Sequence, residues 1–158
     1  MTGRKYPPIE TLGRIKKWCD IQERSHSSVR RKLISWGVFG DEIENVIAEL
    51  IASNFLSEER YARAFVSGKF RINGWGKRKI RTALKADGVS EISIGLAMSE
   101  IEDEDYWQKL NYLTRKKAPG IKSSSRYERN HKLTNYLLSR GYEPDLIKRA
   151  IKEMESDS

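Results

Sequence analysis

Nine lysines and arginines fall between Arg60 and Ala86 with no Asp or Glu among them: Arg60, Arg63, Lys69, Arg71, Lys77, Arg78, Lys79, Arg81 and Lys85. The chain carries a formal +8, so subtracting these nine leaves −1 for everything outside the window. A local excess of one sign calls for a partner of the other sign or a structural reason. The chemistry such side chains offer is anion binding, by charge-assisted hydrogen bonds to phosphate or carboxylate. A second basic cluster, Arg115, Lys116, Lys117, Lys122, Arg126, Arg129 and Lys132, is offset only by Glu128.

Residues suited to bond-making are absent from any recognisable pattern. Two histidines far apart, His26 and His131, and a single Cys19 make no metal-ligand spacing, and no local motif suggests a nucleophile with its base. Gly74-Trp75-Gly76-Lys77 looks like a phosphate loop only superficially, lacking the earlier glycine and the Ser or Thr after lysine. The acidic run of Glu100 and Glu102 to Asp105 reads as helix-start charge, because successive carboxylates point around a helix rather than converging. The expectation is a binding protein, not an enzyme, with no cofactor and no metal.

Two helices must position the cations of the first cluster. The first starts after Ser57, a good N-cap, with Glu58 and Glu59 at the positive end of the helix dipole. Tyr61, Ala64, Phe65, Gly68 and Ile72 follow the spacing of one apolar face, and Phe70 falls on neither face. Phe70 is therefore open to two readings, burial against a neighbouring element or contact with a partner. Asn73 to Gly76 breaks the helix, and a second runs from Lys77 to Asp87, with Ile80, Ala83 and Leu84 on its apolar side. Lys77, Arg78 and Lys79 oppose the dipole of that helix. Its N-terminus is either an anion site or a solvated surface start. Trp75 stands at its edge, as a stacking group or as core.

Composition agrees with a helical, polar chain: 158 residues, 38% hydrophobic and 33% charged, afford a core only if helices share it. No apolar run approaches the roughly 20 residues that cross a bilayer, and the N-terminal stretch has no apolar core of a secretory signal. With one cysteine no internal disulfide is possible, so a reducing, cytoplasmic setting is expected.

A repeat organises the whole. With Gly37, Gly88 and Gly141 as zero, position −8 holds Val29, Ile80 and Leu133, and −4 holds Leu33, Leu84 and Leu137. Position +1 holds Val38, Val89 and Tyr142; +6 holds Ile43, Ile94 and Ile147. Position +10 holds Ile47, Met98 and Ile151, and +13 holds Leu50, Ile101 and Met154. This is a threefold repeat of helical units, each with a helix closed by a C′ glycine and a following helix returned to the same core. Leading helices are expected near 11–23, 57–72 and 103–117. Asp41 with Glu44 reads as a capping box before the third helix. The fold class is all-α: three tandem three-helix repeats forming an elongated, curved array. The expected units are 11–53, 54–102 and 103–158, preceded by a disordered basic tail, 1–10.

Over essentially its whole length, and most strongly over 54–89, the sequence resembles the RecX family, regulatory proteins of the bacterial recombinase RecA. One motif that carries the resemblance is Phe55, Leu56, Ser57, Glu58, Arg60, Tyr61, Ala62, Ala64 and Phe65; the other is Gly76, Ile80, Leu84 and Gly88. The chain departs from the family at Ser28, where relatives often place a glutamate that completes a capping box. The resemblance implies a non-enzymatic, monomeric regulator that lodges in the groove of the RecA–single-stranded-DNA filament and restrains its growth, ATP hydrolysis and strand exchange. The nine cations of the central cluster, with Trp75, are then the expected binding face, and the Arg115–Lys132 cluster a secondary patch. A free-standing basic helical protein that binds nucleic acid without a filament partner is the alternative. It predicts DNA affinity falling with salt at a log–log slope of about −0.7 per phosphate contacted. A purely structural adaptor predicts no DNA affinity at all.

Overall fold

The computed structural model describes residues 3–157. Among them run nine α-helices: α1 (Pro8–Ile21), α2 (His26–Ser35), α3 (Asp41–Ala52), α4 (Glu58–Arg71), α5 (Lys77–Ala86), α6 (Glu91–Met98), α7 (Asp103–Lys117), α8 (Arg126–Ser139) and α9 (Pro144–Ser156). A single 3₁₀ turn, Ala118–Gly120, follows α7. The architecture is the expected all-α series of three-helix units.

The repeat owes its form to one local device used three times. Gly37, Gly88 and Gly141 have φ of +82°, +80° and +102°, a region that L side chains rarely adopt. After each, the next residue donates its N–H back to the −4 leucine carbonyl: Val38 to Leu33 at 3.0 Å, Val89 to Leu84 at 3.0 Å, Tyr142 to Leu137 at 3.2 Å. Each glycine N–H reaches the carbonyl three residues earlier, completing a Schellman closure of α2, α5 and α8. The residues at −8, −4, +1, +6 and +10 are buried in all three units. Leu50 and Ile101 at +13 are buried as well, whereas Met154 is only partly covered.

The register extends to contacts between units. The carbonyl just before each glycine accepts a hydrogen bond from the segment that precedes its unit. Trp36 O takes the Lys5 N–H at 2.8 Å, Asp87 O takes the Ser27 hydroxyl at 2.9 Å, and Arg140 O takes the Gly76 N–H at 2.7 Å. Helix C-termini leave carbonyls without internal partners, and here the neighbouring segment supplies the donor. The start of α2 thus meets the end of α5, and the start of α5 meets the end of α8. Tyr61, which donates to Asp87 at 2.7 Å, and Arg31, 3.8 Å from Asp87, add to the first of these junctions.

The cores divide unevenly. Ile15, Val29, Leu33 and Leu50 belong to a first-unit cluster that also takes in Leu56 from the start of the second unit, whereas the rest of the second unit and the third share one continuous core. Phe70, Tyr106 and Tyr142 form its aromatic spine, with successive ring centroids 5.8 and 5.2 Å apart.

Several expectations are corrected. Residues 3–10 do not form a free tail: α1 begins at Pro8, where proline suits the first helical position. Arg4 bonds Glu42 and Thr11, and Tyr6 meets Trp36 edge-on at 5.1 Å. Met1 and Thr2, also part of that expected tail, lie outside the described residues. The Asp41–Glu44 capping box does not form. Gly40 is the N-cap, Asp41 is already helical, and the Glu44 carboxylate instead binds Arg30. The buried stripe of α4 is Ala62, Val66 and Phe70, one step around from the expected face; Tyr61 and Phe65 are half-buried, while Ile72 is 85% exposed. The helix is rotated because it packs on α5 and α6 while Phe70 docks on Tyr106 of the third unit.

Candidate interface at the junction of the second and third units

Helix α4 places Lys69 and Arg71 at its end, and the turn Asn73–Gly76 then swings the chain into α5. Trp75 lies half-buried in that turn. Its ring meets Phe65 edge-on at 6.3 Å and carries Lys69 Nζ at 4.8 Å and Lys79 Nζ at 4.4 Å. Trp75 packs one edge on the core, while Lys69 and Lys79 bracket its ring.

The N-terminus of α5 is not an open anion site. Its first N–H groups are occupied by the third unit: Gly76 donates to Arg140 O, Lys77 to Tyr106 Oη at 2.9 Å, and Arg78 to Gly141 O at 3.0 Å. Three donors pointed at a helix end therefore meet carbonyls and a phenol oxygen rather than a ligand. This also accounts for Gly76, where a Cβ would stand 2.4 Å from the Gly141 carbonyl. Tyr106 in turn donates to Glu143 at 2.5 Å. Burial, then that carboxylate, push its ionisation far above the usual phenol range, so Tyr106 acts as a hydrogen-bonding strut at any ordinary pH.

The nine central cations divide into two groups. Arg60 pairs with Glu23 at 2.9 Å, and Arg63 with Glu59 at 3.7 Å and Glu100 at 3.0 Å. Arg81 and Lys85 share Glu91 at 2.9 and 2.8 Å. Lys85, helped by Arg81, holds the Glu91 carboxyl below the usual carboxylate range. The other five, Lys69, Arg71, Lys77, Arg78 and Lys79, have no carboxylate partner among the described residues. They surround the Asn73–Gly76 turn, with Lys77 Nζ 4.6 Å from the Tyr106 ring.

The secondary patch is not brought together as one surface. Arg115 pairs with Asp157 at 2.6 Å, Arg126 and Arg129 with Glu155 at 3.2 Å, and Lys132 with Glu128 at 3.0 Å. Lys122 stands apart, its carbonyl taken by Lys132. Lys116 and Lys117 instead turn toward the second unit, lining a groove of about 470 Å³ with Lys109, Tyr112, Tyr136 and Arg140. Those last four residues escaped the sequence reading. A signal was present for two of them, since Lys109, Tyr112 and Lys116 follow helical spacing on one stripe of α7. Arg140 occupies the position before a repeat glycine, which faces the preceding unit at all three junctions.

Among the described residues no helix is long and apolar enough to cross a membrane. A family model for the second three-helix domain of RecX matches residues 57–98, and one for the third matches 103–151. The Regulatory protein RecX of Vibrio campbellii (strain ATCC BAA-1116) is 32% identical over 139 residues, covering 87% of this chain and 88% of that protein. The Regulatory protein RecX of Clostridium botulinum (strain Eklund 17B / Type B) is 34% identical over 132 residues, 82% of this chain but 61% of the relative, so the chain spans about three-fifths of that length. In fold, the crystal structure of RecX from Lactobacillus salivarius superposes with a TM-score of 0.83 at 22% identity, covering 94% of this chain and 96% of that one.

Proposed function

The chain belongs to the RecX family of regulatory proteins, and from that premise we propose that it restrains RecA by lodging against the RecA–single-stranded-DNA filament. In this reading it acts in the cytoplasm as a monomer, without catalysis or cofactor, and limits filament growth, ATP hydrolysis and strand exchange. The observation that carries the reading is the set of five cations around the Asn73–Gly76 turn that form no ion pair with a carboxylate among the described residues. They are held on a junction whose backbone hydrogen bonds and aromatic spine fix one unit against the next. A fixed surface of unpaired cations suits a partner built of phosphates and acidic side chains, and pre-organisation lowers the entropic cost of binding.

Residues of the expected face enter this proposal unequally. Lys69, Arg71, Lys77, Arg78 and Lys79, with Trp75, form its centre. Arg60, Arg63, Arg81 and Lys85 contribute less, because binding a partner through them means giving up Glu23, Glu100 or Glu91.

The test is RecA ATP hydrolysis on single-stranded DNA, with the protein titrated from far below to equal the recombinase at two salt concentrations. Inhibition at substoichiometric amounts is expected. Replacing Arg78 and Lys79 together by alanine, which keeps the Cβ contacts of Lys79, is expected to raise the half-inhibitory concentration about tenfold. Replacing Arg81 and Lys85 in the same way is expected to cost about threefold or less. Equal inhibition by the Arg78/Lys79 variant and the parent defeats the assignment. Inhibition only at DNA-coating amounts, vanishing with salt, favours the free-standing nucleic-acid-binding alternative.

A further inference from the structure

The groove between the end of α4, helix α7 and helix α8 is lined by Lys109, Lys116, Lys117, Arg140, Tyr112 and Tyr136. Among the described residues no carboxylate lines it. The neighbouring groove at the start of α9 differs, since Asp103, Glu104, Glu143 and Asp145 line it beside Lys77 and Arg149. Four positive charges converging without internal compensation are costly to hold together, and an anion from outside relieves that cost.

Arg140 gives the argument its sharpest point. Its guanidinium is half-buried, one Nη donates to the Asn73 carbonyl, and its buried Nε has no partner. Among the described residues no carboxylate answers its charge. Lys109 reaches the Arg71 carbonyl at 3.2 Å, which holds its ammonium at the groove rim. Tyrosine faces accompany the cations: Lys117 Nζ lies 4.6 Å from the Tyr136 centroid and Lys116 Nζ 5.5 Å from that of Tyr112. Tyr112 is 57% exposed, so one of its surfaces is available to a flat partner. Cations to track a backbone, with exposed aromatic faces beside them, are the recurring elements of sites that hold unpaired strands. An acidic peptide uses the charges but has no need of the ring.

We propose that this groove binds the phosphodiester backbone of a single strand of nucleic acid, with Lys116, Lys117 and Arg140 on phosphate and Tyr112 stacked on a base. The inference deepens the regulator reading and rests on it for its biological setting: α5 and the Asn73–Gly76 turn then face the recombinase, while the groove takes the strand.

The full chain is tested by fluorescence anisotropy with a labelled oligothymidine of about a dozen nucleotides, over a series of salt concentrations. Lys116→Ala combined with Lys117→Ala is expected to raise Kd about tenfold and to flatten the log Kd against log salt slope by about 1.4, two phosphate contacts' worth. Tyr112→Ala is expected to raise Kd about fivefold or more with the salt slope unchanged, and Tyr112→Phe to restore binding. Circular dichroism melts confirm that each variant folds, and Lys148→Ala on α9 serves as a charge-loss control.

Wild-type affinity for the groove variants, or no binding by the parent at low salt, overturns the inference. So does a polyglutamate peptide that competes as well as the oligonucleotide. The same proteins are assayed on RecA. Persistent RecA inhibition beside unchanged oligonucleotide affinity in the variants sinks the groove alone. No RecA effect from the parent, beside oligonucleotide binding that the variants lose, sinks the regulator reading and leaves the groove.

Discussion

Replacing Gly76 by alanine tests the junction on which the interface is built. Gly76 has an ordinary φ of −80°, so the substitution strains no backbone angle. Its effect must come from crowding. The added Cβ would lie 2.4 Å from both the C and O atoms of Gly141 and 2.6 Å from Tyr142 N, all backbone atoms that no rotamer change can move aside. Restoring ordinary contact requires the start of α5 to withdraw from the end of α8 by about 1 Å, which stretches the bonds from Gly76 to Arg140 (2.7 Å) and from Arg78 to Gly141 (3.0 Å) beyond useful length. The Lys77 bond to Tyr106 goes with them. Three hydrogen bonds at about 1 kcal/mol each give about 3 kcal/mol. Reduced chain entropy in the unfolded state returns up to about 1 kcal/mol. The net loss is about 2–3 kcal/mol, a fall in Tm of between about 4 and 12 °C for a chain of this length. Gly95, inside α6 with no atom within 4 Å of its built Cβ, is the matched control. Gly95→Ala should raise stability by about 0.5–1 kcal/mol. Thermal and urea unfolding followed by circular dichroism measure both variants. A Gly76→Ala protein as stable as its parent would refute the end-to-end docking of α5 on α8.

Two further outcomes follow from single contacts. Tyr142→Phe removes the buried hydroxyl that donates to Gly74 O at 3.0 Å. Leaving that carbonyl unsatisfied should cost about 1–2 kcal/mol in urea unfolding with the m-value unchanged. Glu58 bridges the start of α4 to the start of α6, accepting bonds from the Ser90 N–H and the Ser90 and Ser93 hydroxyls at 2.7 to 3.0 Å. Burial raises its pKa, but these bonds outweigh burial and leave it below the ordinary value. A folded pKa below the unfolded one means stability present above the unfolded carboxylate range and lost as pH falls through the folded value. Unfolding free energy should therefore drop as pH falls below the ordinary carboxylate range, and Glu58→Gln should flatten that drop while lowering stability at pH 7. An unchanged acid profile in the variant removes Glu58 from this role.

What the chain's one-dimensional pattern determined is most of what depends on near neighbours, the Asp41–Glu44 capping box excepted. Helix ends are set by Ser25, Ser57, Ser90 and Ser125, whose hydroxyls each accept an N–H three residues on. The glycine closures and the apolar register at fixed distances from them are equally local, so three units were legible without coordinates. At Ser28 the departure from the family pattern has a local answer too, since Ser25 bonds both its N–H and its hydroxyl.

Tertiary structure alone decided which charges remain free. The carboxylate on Arg60, Glu23, and the nearer of the two on Arg63, Glu100, each come from 37 residues away, and no spacing rule connects them; only Glu59, one turn before Arg63, is local. The buried face of α4 was likewise set at a distance, by Tyr106 receiving Phe70. The start of α5 was open to reading as an anion site or a solvated start because its donors and cations are adjacent in sequence; folding filled it with the end of α8. Folding also opened a groove from residues that the sequence separates by up to 68 positions, Ile72 and Arg140. Helix punctuation costs and gains free energy within a turn of chain, so sequence records it. Charge compensation is a property of which surfaces meet, and only the packed units decide that.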